Sequence, residues 1–258
     1  MNQKIEKFKN TPIPNLDDIR NQKFGYRDLP IKPEDDDVVD LLTLGIAGEN
    51  YYFNFKLDDG GRVLGAIPNL FARKTVADKL VKINQELKPA GVELFVRDTY
   101  RPPEVQKFMH DEWAPHHFKK LHQDWSEEKI KNEVNNFWAY VNKNGTWEVD
   151  PKSPPPHTTG AAVDLTLCKI GSKEFLNMGA KFDEMEESVF TDFLEKLEIE
   201  DSEQIEFREN RRLLYWVMLG EGFVNNPTEW WHYSFGDQMW ATLSHKPYAV
   251  YSNISIQK

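Results

Sequence analysis

Apolar residues recur at helical spacing between residues 69 and 91, where Leu70, Val76, Leu80, Val81, Ile83 and Leu87 share one side and Lys88-Pro89-Ala90-Gly91 supplies a stop. The spacing predicts a helix ending before Gly91. VELFVRDTY, 92–100, reads as a strand whose polar end opens into a turn at Arg101-Pro102-Pro103. NYYFNFKL, 50–57, alternates and is rich in aromatics, and predicts a strand. From Glu104 to Lys143, charge and apolar periodicity predict two or three helices interrupted at Pro115. Pro151 and the run Pro154-Pro155-Pro156 force an extended loop into His157, because each proline biases its predecessor away from helix. AAVDLTL, 161–167, follows as a strand. A helix is predicted at 206–219, stopping at Gly220-Glu221-Gly222, and FVNNPTEWWHYSF, 223–235, predicts two short strands about an Asn-Asn-Pro turn.

Residues 1–40 are polar, broken by Pro12, Pro14, Pro30 and Pro33, and close on the acidic run EDDD at 34–37. They predict an extended arm over a single domain formed by 41–258. Helices and strands do not alternate in regular βαβ order, so the fold class expected is α+β.

Composition narrows the function more than the fold. With 258 residues, 40% hydrophobic and 13% aromatic, the chain can bury one substantial core. A net charge of −10 argues against nucleic acid as a partner, since phosphate binding needs clustered Lys and Arg. The first thirty residues lack the apolar region of a signal peptide, and no apolar stretch is long enough for a bilayer; the expected location is the cytoplasm, with no membrane partner. Cys168 is the single cysteine, which excludes an intramolecular disulfide and a Cys-rich zinc site. With no basic cluster beside it, Cys168 reads as a small, inert core thiol.

The candidate chemistry lies in HTTGAAVDLTL, 157–167. Strand periodicity puts Val163, Leu165 and Leu167 on one face and Ala162, Asp164 and Thr166 on the other. A buried carboxylate needs a cation: Arg, Lys or a metal. His157 lies seven residues upstream, with Gly160 allowing the chain to turn between them, and His232 in the aromatic segment EWWHYSF is the best third partner. Two imidazoles, one carboxylate and an open fourth position form a ligand set for catalytic zinc. Glu229 sits three residues before His232, where Pro227 lets it stay in the turn and act as general base toward an attacking water. Taken singly, each residue has a plainer reading as loop histidine, turn anchor or packed aromatic strand. Together they point to a metal site.

These segments resemble the D-alanyl-D-alanine dipeptidases of the VanX type. HTTGAAVD fits His-x-x-Gly-x-Ala-x-Asp, EWWH fits Glu-x-x-His, TYRPPEVQ fits a Tyr-Arg-Pro segment, and NMGAKFDEM (177–185) is similar to a Met-Gly-x-x-Phe-Asp segment, all in order. The resemblance implies a zinc peptidase fold with a small, mostly antiparallel sheet and packed helices, shared with D,D-carboxypeptidases and the hedgehog signalling domain. It implies one Zn2+ on His157, Asp164 and His232, Glu229 as general base, Arg101 polarising the scissile carbonyl, and Asp183 binding the ammonium of a small dipeptide. The alternative for Asp183 is a helix N-cap ahead of EMEESVF. One departure stands out: the family carries serine just before the histidine to help hold the substrate carboxylate, whereas here SPPPH places Pro155 and Pro156 there, with neither hydroxyl nor N–H.

Three other readings compete. A non-haem iron oxygenase also uses two His and one carboxylate, usually spaced His-x-Asp, whereas six residues separate His157 from Asp164. A D,D- or L,D-carboxypeptidase acting on cell-wall peptides would use the same site. A non-catalytic zinc-stabilised module would need neither Glu229 nor Arg101. His110, His116, His117 and His122 are an alternative second metal cluster, though their helical region reads more simply as a solvated surface. Oligomeric state and exact dipeptide are not legible.

Overall fold

The computed structural model describes residues 3–21, 25–142 and 148–256. Its strands are β1 (Val38–Asp40), β2 (Ala47–Gly48), β3 (Phe71–Arg73), β4 (Val92–Asp98), β5 (Ala162–Lys169), β6 (Val224–Asn225) and β7 (His232–Ser234). Its helices are α1 (Gln3–Asn10), α2 (Asp17–Asn21), α3 (Tyr51–Asn54), α4 (Lys74–Leu87), α5 (Pro103–Phe108), α6 (Ala114–Leu121), α7 (Glu127–Phe137), α8 (Ser202–Gly220) and α9 (Gln238–Leu243). The main sheet runs β2-β4-β5-β7-β6, and only the β2–β4 pair is parallel. This is the α+β, mostly antiparallel architecture expected. β1 and β3 form a separate antiparallel pair.

The apolar stripe of α4 explains the sheet's position. Val76, Leu80, Ile83 and Leu87 pack in one cluster with Leu94 and Val96 of β4, Val163, Leu165 and Leu167 of β5, and Leu213 and Val217 of α8. α4 ends on a short 3-10 turn closed by Gly91, whose φ of 75° is the left-handed conformation glycine adopts without strain. β5 is buried on both faces: Ala162, Asp164 and Thr166 are as enclosed as their apolar neighbours. A second cluster, built on Val105, Met109, Phe118, Ile130, Val134 and Trp138, packs α5, α6 and α7 together beside the sheet.

Several sequence expectations need correction. Residues 51–54 are helical, not a strand: the Asn50 side chain accepts from the Phe53 N–H at 3.1 Å, a local cap that aromatic alternation does not reveal. Residues 71–73 form β3 ahead of the helix predicted from 69. Pro115 does not break its helix but sits in the first turn of α6, after one wider turn at Met109–Trp113 in which the Ala114 N–H reaches the Met109 carbonyl. That π turn relieves the clash a proline ring makes with the preceding turn. α8 starts earlier than predicted, because Asp201 accepts from the Glu203 and Gln204 N–H groups. Lys143, the last residue of the predicted helical region, lies outside the described residues.

The predicted amino-terminal arm is also not extended throughout. α1 lies against α8, burying Ile5, and the Trp216 Nε1–H donates to the Thr11 carbonyl at 2.8 Å. Residues 31–34 do run extended beside the carboxy-terminal segment, with Lys32 N–H on Ala249 O and Glu34 N–H on Val250 O, both 2.9 Å. Residues 1, 2 and 22–24 of this arm lie outside the described residues. Among the described residues no helix is long and apolar enough to cross a membrane.

Candidate metal centre and its cleft

Antiparallel register brings the first two candidate ligands together: Asp164 on β5 lies directly across from His232 on β7. His157 arrives from outside the sheet, on the 3-10 turn Pro156–Thr159, where Pro155 and Pro156 precede and enter the turn. Gly160 ends it with φ 69°, and a Cβ there would stand 2.9 Å from Ile254 Cδ1. The sequence foresaw the extended approach but not the turn on which His157 rides.

The three side chains are buried and converge. His157 Nε2 is 3.3 Å from Asp164 Oδ2, His232 Nδ1 is 3.0 Å from Asp164 Oδ1, and the two ring nitrogens are 3.2 Å apart. Tetrahedral ligands at zinc's usual distances stand about 3.3–3.4 Å apart, so this triangle matches one face of such a site. The outward nitrogens are anchored: His157 Nδ1–H donates to the Thr99 carbonyl at 2.8 Å, and His232 Nε2 lies 3.3 Å from Ser234 Oγ. Anchoring the outer nitrogens turns the remaining lone pairs inward. Asp164 Oδ1 is buried against His232 Nδ1, and a cation among the three groups would relieve the repulsion between their inward lone pairs. Burial alone would raise the Asp164 carboxyl, but His157 and His232 hold it well below the usual range. Burial works against a charged His232 ring, yet its bond to Asp164 raises it. Among the described residues this is the one group of three that could hold a metal.

Glu229 stays in the turn after β6, as Pro227 suggested. Its N–H bonds the Asn226 carbonyl at 3.1 Å, its own carbonyl accepts from Asn225 Nδ2 at 3.1 Å, and Oε2 lies 3.5 Å from His232 Nδ1. Burial pushes its carboxyl up to about 7, with Asp164 adding and His232 opposing. Arg101 follows β4 and is held by three groups: Nε donates to Asp98 Oδ2 at 2.8 Å, Nη1 to Gln106 Oε1 at 2.9 Å, and Nη2 reaches Asp164 Oδ2 at 3.5 Å. The Tyr52 ring centre is 4.3 Å from the guanidinium. Burial opposes the Arg101 charge, but the surrounding Tyr52, Asp98 and Asp164 hold it protonated.

Asp183 is not a helix N-cap. It occupies a turn with φ 61° and borders the same cleft of about 860 Å³ as Arg101, His157, Asp164, Glu229 and His232. Burial pushes its carboxyl well up, against the pull of Arg101, and Tyr51 bonds it through the phenol. Sequence reading missed this supporting layer of Tyr51, Tyr52, Asp98, Thr99, Gln106 and Ser234. Asp98 and Gln106 were visible only as neighbours of Arg101 in RDTYRPPEVQ. Three further histidines are engaged elsewhere: His110 bonds Asp111 and Asn135, His117 stacks on Trp113 and His122 on Trp125. Cys168 is buried on β5, and burial pushes its thiol up to about 11.

The chain is similar in sequence to known dipeptidases. A D-alanyl-D-alanine dipeptidase of Synechocystis sp. is 34% identical over 185 residues, 66% of each chain. The Enterococcus faecium dipeptidase is 28% identical over 164 residues, 63% of this chain and 72% of that one, and the Escherichia coli one is 39% identical over 144 residues, 56% and 55%. The chain thus spans about two thirds of the length of the first two relatives and just over half of the third. Among solved structures, a vancomycin-resistance D,D-pentapeptidase, VanY, in complex with Zn(II) aligns at 15% identity and TM-score 0.40, covering 76% of this chain and 85% of that one. The LdcB LD-carboxypeptidase aligns at 16% identity and TM-score 0.36, covering 82% and 73%. The D-ala-D-ala dipeptidase family of M15 peptidases matches residues 61–252, a span that holds His157, Asp164, Glu229 and His232, and this chain belongs to it.

Proposed function

We propose that the chain hydrolyses a free D,D-dipeptide of the D-alanyl-D-alanine kind, with one zinc ion held by His157, Asp164 and His232. The observation that carries this reading is convergence: the Glu229 carboxylate and the Arg101 guanidinium border the same cleft as the three candidate ligands. A structural site would need neither group. Bound zinc would supply Lewis acidity, polarising the carbonyl and making a water easier to deprotonate.

The chain's own residues do the rest. Glu229 takes the proton from the attacking water and passes it to the leaving amine; its buried carboxyl, poised near neutrality, suits both halves of that transfer. Arg101 donates to the carbonyl oxygen as negative charge develops, and Asp98 and Gln106 hold the guanidinium so that it need not reorganise. Asp183, fixed by its turn and by Tyr51, receives the ammonium of the dipeptide. The catalytic unit is 41–258, with the amino-terminal segment packed on it.

The test is a substrate panel with and without chelator: D-Ala-D-Ala, its L,L counterpart, N-acetyl-D-Ala-D-Ala and a longer D-Ala-D-Ala-terminated peptide. Hydrolysis of the free D,D-dipeptide, lost with chelator and restored by zinc, is the expected outcome. Equal cleavage of the N-acetylated or longer peptide would overturn the dipeptidase assignment and favour a carboxypeptidase.

A further inference from the structure

Arg27 is a buried cation. It is 8% exposed, its Nε and Nη1 are enclosed without hydrogen-bond partners, and among the described residues no carboxylate pairs with it. Its contacts are the Ser153 carbonyl, to which Nη2 donates, and the Tyr140 ring, whose centre lies 4.0 Å from the guanidinium. A carbonyl dipole and an aromatic face offset such a charge only in part. The arrangement calls for an anion.

The position of Arg27 suggests which anion. Its neighbour Tyr26 borders the catalytic cleft together with Pro156, His157 and Met239. Ser153, which Arg27 holds, begins the loop that delivers His157. Gln238 Nε2 donates to the carbonyls of Arg27 (3.1 Å), Leu29 (2.6 Å) and Lys152 (3.0 Å), tying this segment to that loop. The loop itself carries Pro155 and Pro156 ahead of His157, so it offers no hydroxyl or N–H there for a substrate carboxylate. Tyr26 and Asp183 border this same cleft, Asp183 bonded there by the Tyr51 phenol. A dipeptide with its ammonium at Asp183 has Tyr26 within the same cleft to receive its other end.

We infer that Tyr26 and Arg27 recognise the terminal carboxylate of the substrate. The Tyr26 hydroxyl makes the contact in the cleft, and Arg27, one layer behind, supplies the opposing charge and sets chain-end specificity through it. Both residues precede the family-matched region, which begins at residue 61, so this device belongs to the amino-terminal segment. The inference rests on the dipeptidase reading of the cleft.

The test compares steady-state hydrolysis of D-Ala-D-Ala with that of D-Ala-D-alaninamide, which lacks the carboxylate charge, by wild type, Arg27→Met, Arg27→Lys and Tyr26→Phe. Arg27→Met is expected to raise KM for the free acid about tenfold or more, the scale of a lost interaction with a charged group, while KM for the amide and kcat stay near wild type. Arg27→Lys restores part of the preference, which a purely structural role of Arg27 would not require. Tyr26→Phe raises KM for the acid alone and decides the matter if Arg27→Met fails to fold. Equal changes on acid and amide, or none, overturn the inference while leaving the dipeptidase reading intact. A wild type that cleaves neither substrate overturns that reading, and the inference with it.

Discussion

Replacing Glu229 by Gln isolates proton transfer from everything else in the site. The amide keeps the size of the carboxylate but cannot accept a proton and return it. The turn holding residue 229 is fixed through main-chain atoms, the N–H on Asn226 O and the carbonyl on Asn225 Nδ2, so the side-chain change leaves the loop in place. The candidate ligands keep their anchors on Thr99 and Ser234. Stability and zinc content are therefore expected to stay close to wild type. General acid–base catalysis contributes about 10²–10⁴-fold, equivalent to about 3–5 kcal/mol of barrier. The expected result is a fall in kcat of that size on D-Ala-D-Ala with KM changed little, followed by amine release under saturating substrate. A Glu229→Gln enzyme retaining more than about a tenth of wild-type kcat would refute the proton-shuttle role, provided zinc content is matched.

Further outcomes follow from the surrounding structure. Arg101→Lys cannot span Asp98 and Gln106 while facing Asp164, so kcat should fall about 10²–10³-fold, as when an oxyanion donor is removed, measured at matched zinc content. Asp192, buried beneath the amino-terminal segment, opposes its burial with bonds from Arg20 and the Leu16 N–H, which hold its carboxyl below the usual range. A depressed carboxyl stabilises the fold above its unfolded value, about 3.9, and that contribution disappears as pH falls through the folded value. Melting temperature followed downward from pH 6 should accordingly drop more steeply for wild type than for Asp192→Asn, and parallel curves would contradict this. Gly160→Ala strains a left-handed turn and meets Ile254, so it should lower both melting temperature and zinc affinity by displacing His157; an unchanged zinc titration would show that the turn does not position the ligand.

What the sequence reveals depends on how local its causes are. Asp164 is recognisable from its strand's two-residue period and His232 from its place in an aromatic strand, and β-pairing sets them opposite one another. His157 was recognisable through the prolines before it, although its 3-10 turn depends on Gly160 and on packing against Ile254, nearly a hundred residues away. Residues 50–57 misled because their aromatic alternation resembles a strand, while the deciding interaction is a single side-chain cap from Asn50. The arm was misread for the opposite reason: α1 is mostly polar, and its helix gains its support from α8, two hundred residues downstream. Asp98, Gln106 and Tyr52 meet Arg101 in the fold, and Arg27 stands out by its burial, so their roles exist in three dimensions and have no signature of their own.

In the proposed mechanism His157, Asp164 and His232 hold one zinc ion and leave it an open position. Zinc K-edge X-ray absorption on protein purified without chelator, paired with metal content per chain, tests this most directly. One zinc per chain, with nitrogen and oxygen neighbours at about 2.0–2.2 Å and no sulfur, is the expected result, and His232→Ala should abolish it. Undiminished zinc binding by His232→Ala, or a sulfur neighbour that could come only from Cys168 or a methionine, would show that His157, Asp164 and His232 do not hold the metal.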